Sequence, residues 1–218
     1  MALVFTGDEF GDGGKAIADA LQQSGVQASF FLTGRFYRNK NFKSVLRRLQ
    51  KDGHYLGAHS DAHLLYNDWT KRDSLLVTKE QFMSDLQKNY NEMKNWGVGK
   101  KEAPFFLPPY EWYNDTIAAW TKEAGLQLIN MTPGTLSHAD YTTPDAKNYR
   151  ASDVIFNSIT TYEKQHGLNG FILLVHIGTD SKRTDKFYNQ LPQLLLYLKQ
   201  NGYKPVRIDQ LLATTSEY

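Results

Sequence analysis

Short apolar runs alternate along the chain with longer segments in which apolar residues recur at helical spacing. The apolar runs predict strands at 2–5, 28–32, 55–58, 105–107, 126–130, 171–175 and 203–208. The amphipathic segments predict helices at 15–23, 42–51, 78–96, 115–124, 152–165 and 185–200. This alternation is typical of βα units with a parallel sheet. About seven strands favour an α/β fold, a distorted (β/α) barrel in a single domain over residues 1–218.

Polar residues at two helix starts support these boundaries. Thr78 precedes the apolar pattern of 78–96, and Gln81 follows three positions later, which is the arrangement of a capping box. Ser152 is expected to cap the helix at 152–165 in the same way.

Side chains that can bind metal ions, transfer protons or contact a substrate recur where the predicted strands end. Asp8 and Glu9 follow the first strand, His59 follows the third, Tyr110 comes shortly after the fourth, and His176 follows the sixth. In βα barrels the carboxyl ends of the strands meet at one face, and functional residues collect there. We therefore expect these five residues to surround a common site.

Two histidines in this set have the spacing of metal ligands. On a helical turn, His59 and His63 would point to the same side and present two imidazole nitrogens to one cation. Catalytic zinc usually takes three protein ligands and keeps one position open. The adjacent carboxylates of Asp8 and Glu9 supply the candidate third ligand.

The composition narrows the function classes. The net charge is only +2 and the basic residues are scattered, so nucleic-acid binding has no compositional support. There is no cysteine, hence no disulfide or thiolate metal site. No apolar run is long enough to cross a bilayer, and no signal-peptide pattern precedes the first strand. A monomer is expected.

Five segments carry the candidate residues in this order: Thr6-Gly-Asp-Glu9, His59-Ser-Asp-Ala-His63, Phe106-Leu-Pro-Pro-Tyr110, residues 130–140 and Ile172-Leu-Leu-Val-His176. Together they resemble the polysaccharide deacetylase family, carbohydrate esterase family 4, also called the NodB homology domain. The lead-in Gly53-His-Tyr-Leu-Gly-Ala-His59 is also similar to that family, and the resemblance covers nearly the whole chain.

The resemblance implies a metal-assisted deacylation. By position, Asp8 would be the catalytic base, and Glu9, His59 and His63 would hold one divalent ion. Zinc is the first choice, with cobalt or nickel as alternatives. His176 would be the general acid that protonates the leaving group.

The same resemblance implies the substrate contacts. The backbone N–H of Tyr110 would help to hold the oxyanion, and Leu174 would line the pocket for the acetyl methyl group. The unusual segment Glu111-Trp112-Tyr113 after Tyr110 is a further candidate for substrate binding, Trp112 above all, or else a packed aromatic loop.

Two motifs depart from the family pattern. The family's third motif carries an arginine that pairs with the catalytic aspartate, and Leu107 occupies that position here, so Asp8 must be oriented by another group. The fourth motif is not visible. Asp140 is the candidate for the carboxylate that pairs with the catalytic histidine, against the alternative of an ordinary loop aspartate.

The sequence thus predicts a hydrolase that removes acetyl groups from a glycan, with O-acetyl esters favoured over N-acetyl amides. The family's substrates imply a secreted or periplasmic location. The first alternative is a catalytically impaired domain that binds sugar through Trp112, Tyr110, Trp69 or Tyr66. A second alternative is another metal-dependent hydrolase on a similar barrel, which Pro108, Pro109 and Tyr110 disfavour.

Overall fold

A computed structural model describes residues 1–213 and shows one α/β domain built on six parallel strands. The domain predicted from the sequence extends to residue 218, and residues 214–218 lie outside the described part of the chain. In the order β5-β4-β3-β2-β1-β6 the sheet curls into a half-barrel. The strands are β1 (Ala2–Gly7), β2 (Ser29–Leu32), β3 (Tyr55–Ala58), β4 (Phe105–Phe106), β5 (Gln127–Leu128) and β6 (Ile172–His176).

The predicted fold class is confirmed, although the number of strands was one too high. The segment at 203–208 makes only one bridge, between Val206 and Ala2, with Val206 N donating to Met1 O over 3.0 Å. The chain then turns into a short helix. The two edge strands of the sheet, β5 and β6, are linked through Thr132, whose N–H donates to Ile172 O over 3.0 Å.

Eight helices surround the sheet within residues 1–213. They are α1 (Gly14–Ser24), α2 (Gly34–Arg38), α3 (Lys43–Lys51), α4 (Lys79–Lys94), α5 (Asp115–Glu123), α6 (Ser152–His166), α7 (Leu191–Gln200) and α8 (Ile208–Leu211). Short 3₁₀ turns lie at Lys40–Phe42, Pro109–Glu111, Ser137–Tyr141 and Phe187–Gln190. None of the helices in this range is long and apolar enough to cross a membrane.

The two predicted caps have different outcomes. Thr78 and Gln81 form the capping box at the start of α4, as predicted. The prediction for Ser152 was wrong, because Ala151 is the N-cap residue and Ser152 is already helical. Ser152 instead contacts a neighbouring loop through its backbone N–H, which donates to Asp185 Oδ2 over 2.6 Å.

The register of the sheet explains why the predicted residues meet. Every residue of β1 is buried, and β1 lies between β2 and β6. Gly7 pairs with Leu32, and Leu32 pairs with Ala58, so the last residues of β1, β2 and β3 lie side by side. The residues that follow them, Asp8 among them, emerge together at the carboxyl edge of the sheet.

Candidate active site

A cavity of about 550 Å³ opens at this carboxyl edge. Six of the predicted site residues line it: Asp8, Glu9, His59, His63, Tyr110 and His176. A second cavity of similar size, about 560 Å³, lies beside α2 and α3 and contains none of them. The first cavity is therefore the candidate active site, called here the active-site cavity.

Asp8 is anchored by an arginine on α2 and not by one at position 107, where the family pattern places it. Arg35 Nε donates to Asp8 Oδ1 over 3.0 Å, and Arg35 Nη2 donates to Asp8 Oδ2 over 2.5 Å. Thr33 Oγ1 donates to Oδ1 over 2.8 Å and also caps α2 by accepting from Phe36 N. Paired N–H···O bonds of this kind fix both the position and the orientation of a carboxylate.

Leu107, just after β4, does not orient Asp8 through its side chain. That side chain is fully buried in the hydrophobic core. Its backbone still serves the site, because its carbonyl oxygen lies 2.7 Å from His59 Nδ1.

His59 and His63 lie together, although not on a helical turn. They belong to an irregular loop in which Ser60 and His63 have φ angles of 73° and 54°. This left-handed backbone brings the two ring centroids to 5.1 Å from each other. The predicted proximity is therefore correct, whereas the helical geometry used to predict it was wrong.

Both imidazoles are in the form that binds metal ions. Burial lowers the pKa of His59 to about 3, and burial lowers that of His63 to about 4, so both rings are neutral at pH 7. A carbonyl oxygen only accepts, so His59 Nδ1 carries the proton toward Leu107, and Nε2 keeps the lone pair that a metal ion would need.

Two polar side chains on the buried face of α4 hold the histidine loop. Asp85 Oδ2 accepts from Ser60 Oγ over 2.5 Å and from Asp61 N over 2.9 Å, and Asp85 Oδ1 accepts from Ala62 N over 3.0 Å. Asn89 Oδ1 accepts from the backbone N–H of His59 over 2.9 Å. The strained loop thus depends on a carboxylate for its hydrogen bonds.

Replacing Asp85 by alanine is expected to lower the free energy of unfolding by about 3 kcal/mol, because buried donors in the loop lose their acceptor. Urea denaturation measures this change. Ser84→Ala, an exposed change on the same helix, is the control and should stay within about 0.5 kcal/mol of the parent. Equal stability of the two variants would contradict the role given to Asp85.

Glu9 is not brought to the two imidazoles. Its side chain is 63% exposed, and its Oε1 lies 3.5 Å from Arg35 Nη1. Within residues 1–213, no three His, Asp or Glu side chains are grouped closely enough to hold a metal ion. The imidazole pair fits a divalent ion, whereas the predicted carboxylate ligand, Glu9, lies against Arg35 instead.

His176 is held by Asp140, which lies in the 3₁₀ turn Ser137–Tyr141. Asp140 Oδ1 is 2.6 Å from His176 Nδ1, and Asp140 Oδ2 accepts from His176 N over 2.9 Å. Burial acts to lower the pKa of His176, but the Asp140 carboxylate opposes it, and the net pKa lies above the ordinary value. Since Nδ1 is taken by Asp140, Nε2 is the atom left for proton transfer.

Glu111 is a further carboxyl group in the cavity wall, which also carries Asp8, Glu9 and Asp180. Burial raises the pKa of Glu111 to about 7, an effect that the charge of His176 partly offsets. Both Tyr110 and Glu111 have left-handed backbones, with φ angles of 60° and 53°, and Asn130 Nδ2 donates to Glu111 O over 2.8 Å. Strained backbone at non-glycine residues is common at functional sites.

The remaining predicted contacts fall in different places. Tyr110 lines the cavity, with its ring edge-on to His63 at 4.4 Å. Trp112 does not line it, but packs behind Trp69 at a centroid distance of 5.7 Å. Leu174 is fully buried in β6 and is not part of the cavity wall, so its predicted place at a methyl pocket is not observed.

Several residues of the site escaped sequence reasoning: Thr33, Arg35, Asp85 and Asn89. The first two follow the strand at 28–32 just as Asp8 follows β1, and that position was the available signal. Asp85 and Asn89 are polar residues four apart on the otherwise apolar face of a helix. Such a pair signals buried hydrogen bonds rather than simple core packing.

Comparison with known proteins matches residues 6–129, more than half of the chain, to the polysaccharide deacetylase family. A bifunctional xylanase/deacetylase from Pseudobutyrivibrio xylanivorans is 28% identical over 196 residues, which is 89% of this chain and 27% of that protein. Two further curated relatives also exceed this chain in length, since it spans 64% of each.

Solved structures show the same architecture. The Xyl-CE4 domain of a multidomain xylanase, from the hindgut metagenome of Trinervitermes trinervoides, is 26% identical with a TM-score of 0.71 and covers 96% of this chain and 87% of that one. BA3943 from Bacillus anthracis, a CE4 family pseudoenzyme, is 21% identical with a TM-score of 0.71 and covers 97% and 64%. At that identity the likeness shows the fold alone. From the matched residues, the chain belongs to the polysaccharide deacetylase family.

Proposed function

We propose that the chain is a metal-dependent hydrolase that removes acetyl groups from a polysaccharide or oligosaccharide, with O-acetyl esters preferred over N-acetyl amides. One observation carries the proposal: an anchored carboxylate, Asp8, and an anchored imidazole, His176, face the same cavity. Acyl transfer to water needs one group that takes a proton and another that returns one. The preference for esters is supported by two relatives associated with xylanases, a bifunctional xylanase/deacetylase and the Xyl-CE4 domain of a multidomain xylanase.

A divalent ion, with zinc as the first choice and cobalt or nickel as alternatives, would be held by the His59 and His63 imidazoles; Glu9, the third ligand predicted from the sequence, would have to turn from Arg35 toward them. The neutral imidazoles support this assignment, and the exposed Glu9 side chain lines the same cavity. The chemistry that such an ion supplies is Lewis-acid activation of the acetyl carbonyl and of water.

The proton transfers belong to the chain's own residues. Asp8 removes a proton from the water as the water oxygen forms a bond to the carbonyl carbon of the acetyl group. The Tyr110 N–H donates to the oxyanion; removing such a donor typically costs ~3–4 kcal/mol. As the bond to the sugar oxygen breaks, His176 Nε2 gives its proton to that oxygen, and the products are acetate and a sugar hydroxyl.

The alternative of an impaired glycan-binding domain rested on Leu107 and on the missing fourth motif. The contacts from Arg35 to Asp8 and from Asp140 to His176 weaken both of those arguments. Tyr66, one of the sugar contacts of that alternative, is buried and does not reach the cavity. Since acetylated glycans lie outside the cytoplasm, we also propose a secreted or periplasmic location.

The test combines metal analysis with acetate release from acetylated xylan and acetylated chito-oligosaccharides, before and after chelation. We expect one ion per chain, and activity that is lost with a chelator and restored by zinc or cobalt. The variant His59→Ala/His63→Ala should bind no ion. His138→Ala, which removes another imidazole of the same cavity, should still bind one. No ion in the parent protein would overturn the metal site, whereas a bound ion without acetate release would favour the impaired domain.

A further inference from the structure

The second cavity, of about 560 Å³, lies apart from the active site and shares no lining residue with the active-site cavity. Its volume is in the range of sites that hold a small organic ligand. The charged residues of its wall are four cations and one carboxylate: Arg38, Lys40, Lys43, Arg47 and Glu92. We call it the basic cavity.

Most of the cations in this wall have no carboxylate partner. Arg38 is occupied, because its Nη1 lies 2.6 Å from Asp61 Oδ1 and 3.5 Å from Glu92 Oε1. No ion pair within residues 1–213 is made by the other three, Lys40, Lys43 and Arg47. The wall therefore presents three positive charges that have no counter-charge in contact.

Pairing is the rule for the neighbouring arginines. Arg35 holds the carboxylate of the active site through two hydrogen bonds, and Arg48 donates to Asp52. The unpaired side chains also repel each other, since Lys43 and Arg47 lie four positions apart on α3, where like charges weaken a helix. Cations that are collected in a cavity at a cost to the helix indicate a site for an anion.

The rest of the wall suits an organic group in addition to a bare ion. Trp96 is partly buried against the hydrophobic core, and Gln50 Nε2 donates to its carbonyl oxygen over 2.6 Å. An indole has a flat apolar face that can cover the C–H surface of a ligand. Asn39 adds a donor, because its Oδ1 accepts from Asn41 N over 3.0 Å while its Nδ2 makes no hydrogen bond within residues 1–213.

We propose that the basic cavity binds a phosphate monoester, with the phosphate against Lys40, Lys43 and Arg47 and the organic group beside Trp96. Such a phosphate carries about two negative charges near neutral pH and three acceptor oxygens, which three cationic donors match better than they match a carboxylate. Arginine can hold two phosphate oxygens at once, and lysine acts as a point charge. The same chemical group occurs in soluble sugar phosphates and in the headgroup of phosphatidic acid.

Isothermal titration calorimetry of the full chain with glucose 6-phosphate, glucose and inorganic phosphate tests the soluble source. We expect the ester to bind more tightly than inorganic phosphate, and glucose not to bind. Lys43→Ala/Arg47→Ala should raise Kd for the ester at least about tenfold, because two charge-assisted contacts are lost. Lys164→Ala/Lys199→Ala is the matched control, since it removes two positive charges from exposed positions on α6 and α7, outside the basic cavity, and it should bind like the parent.

Vesicles test the membrane source. Sedimentation with phosphatidylcholine vesicles that contain phosphatidic acid is compared with phosphatidylcholine alone, for the parent and both double variants. Binding that needs phosphatidic acid and is lost only in Lys43→Ala/Arg47→Ala would support the site and assign its ligand to a lipid headgroup.

Equal weakening in the two double variants would show general charge attraction and would overturn the site. The absence of binding to either monoester at low ionic strength, where charge attraction is strongest, would overturn it too. Inorganic phosphate that binds as tightly as the ester would overturn the role given to Trp96. These outcomes are independent of acetate release, so the deacetylase proposal stands or falls separately.

Discussion

Replacing His176 by alanine is expected to lower kcat for acetate release by about 10²–10⁴-fold, the usual contribution of a positioned proton-transfer group. KM should change little, because the ring acts on the leaving group and not on the bound sugar. The loss should be larger for N-acetyl than for O-acetyl substrates, since an amine leaves poorly without a proton. Initial rates on matched chito- and xylo-oligosaccharides measure both effects.

The pH profile separates proton donation by His176 from a structural role. A general acid works only while it is protonated, so the rate falls as the pH rises through its pKa. Burial lowers the pKa of His176, but the Asp140 carboxylate and Glu111 raise it, and its net value lies above 6.5. Asp140→Asn removes the larger of the two opposing charges, so the alkaline fall in kcat/KM should begin at a lower pH. Glu111→Gln should shift it in the same direction.

Asp180→Asn is the control for this shift, because Asp180 lines the same cavity and is not among the groups that move the pKa of His176. Its alkaline limb should match that of the parent. An unmoved limb in Asp140→Asn would contradict proton donation by His176, whatever the size of the loss in His176→Ala.

The sequence was sufficient to predict the meeting point of the site because strand ends are local and parallel sheets are regular. Each of β1, β3 and β6 is a short apolar run, and a charged or imidazole side chain follows or closes each run. In a parallel sheet with matched register these positions must lie at one edge. The spacing of His59 and His63 was interpreted with the wrong local geometry, yet the pair still meets, since the loop starts from a fixed strand end.

The supporting residues could not be predicted because they depend on contacts between distant segments. Arg35 lies on a five-residue helix, which is too short to show a periodic pattern, and its partner is 27 positions earlier. The places of Trp112 and Leu174 follow from packing in three dimensions. Trp112 packs against Trp69, which is 43 positions earlier, and Leu174 is fully buried in the core.

Arg35 has the role that the family resemblance assigns to an arginine at position 107, just after β4, and its removal is expected to lower kcat by about 10²-fold with little change in KM. Both oxygens of Asp8 are held by its guanidinium, and a small displacement of a catalytic group costs about that factor. Arg35→Lys should retain only part of the activity. Lysine keeps the positive charge, but an ammonium group cannot reproduce the two parallel hydrogen bonds. Added guanidinium should partly rescue Arg35→Ala, which a loss of folding would not allow.

Arg38→Met is the matched control for Arg35→Met. Arg38 lies on the same helix, is similarly exposed, and makes the same two-pronged contact, in its case with Asp61 over 2.6 and 3.0 Å. Metal content is measured in both variants, because Arg35 Nη1 also lies 3.5 Å from Glu9 Oε1. If the two variants lose activity equally at equal stability, Arg35 has no special relation to Asp8. If only Arg35→Met loses turnover and guanidinium restores it, α2 supplies the orienting arginine that β4 lacks.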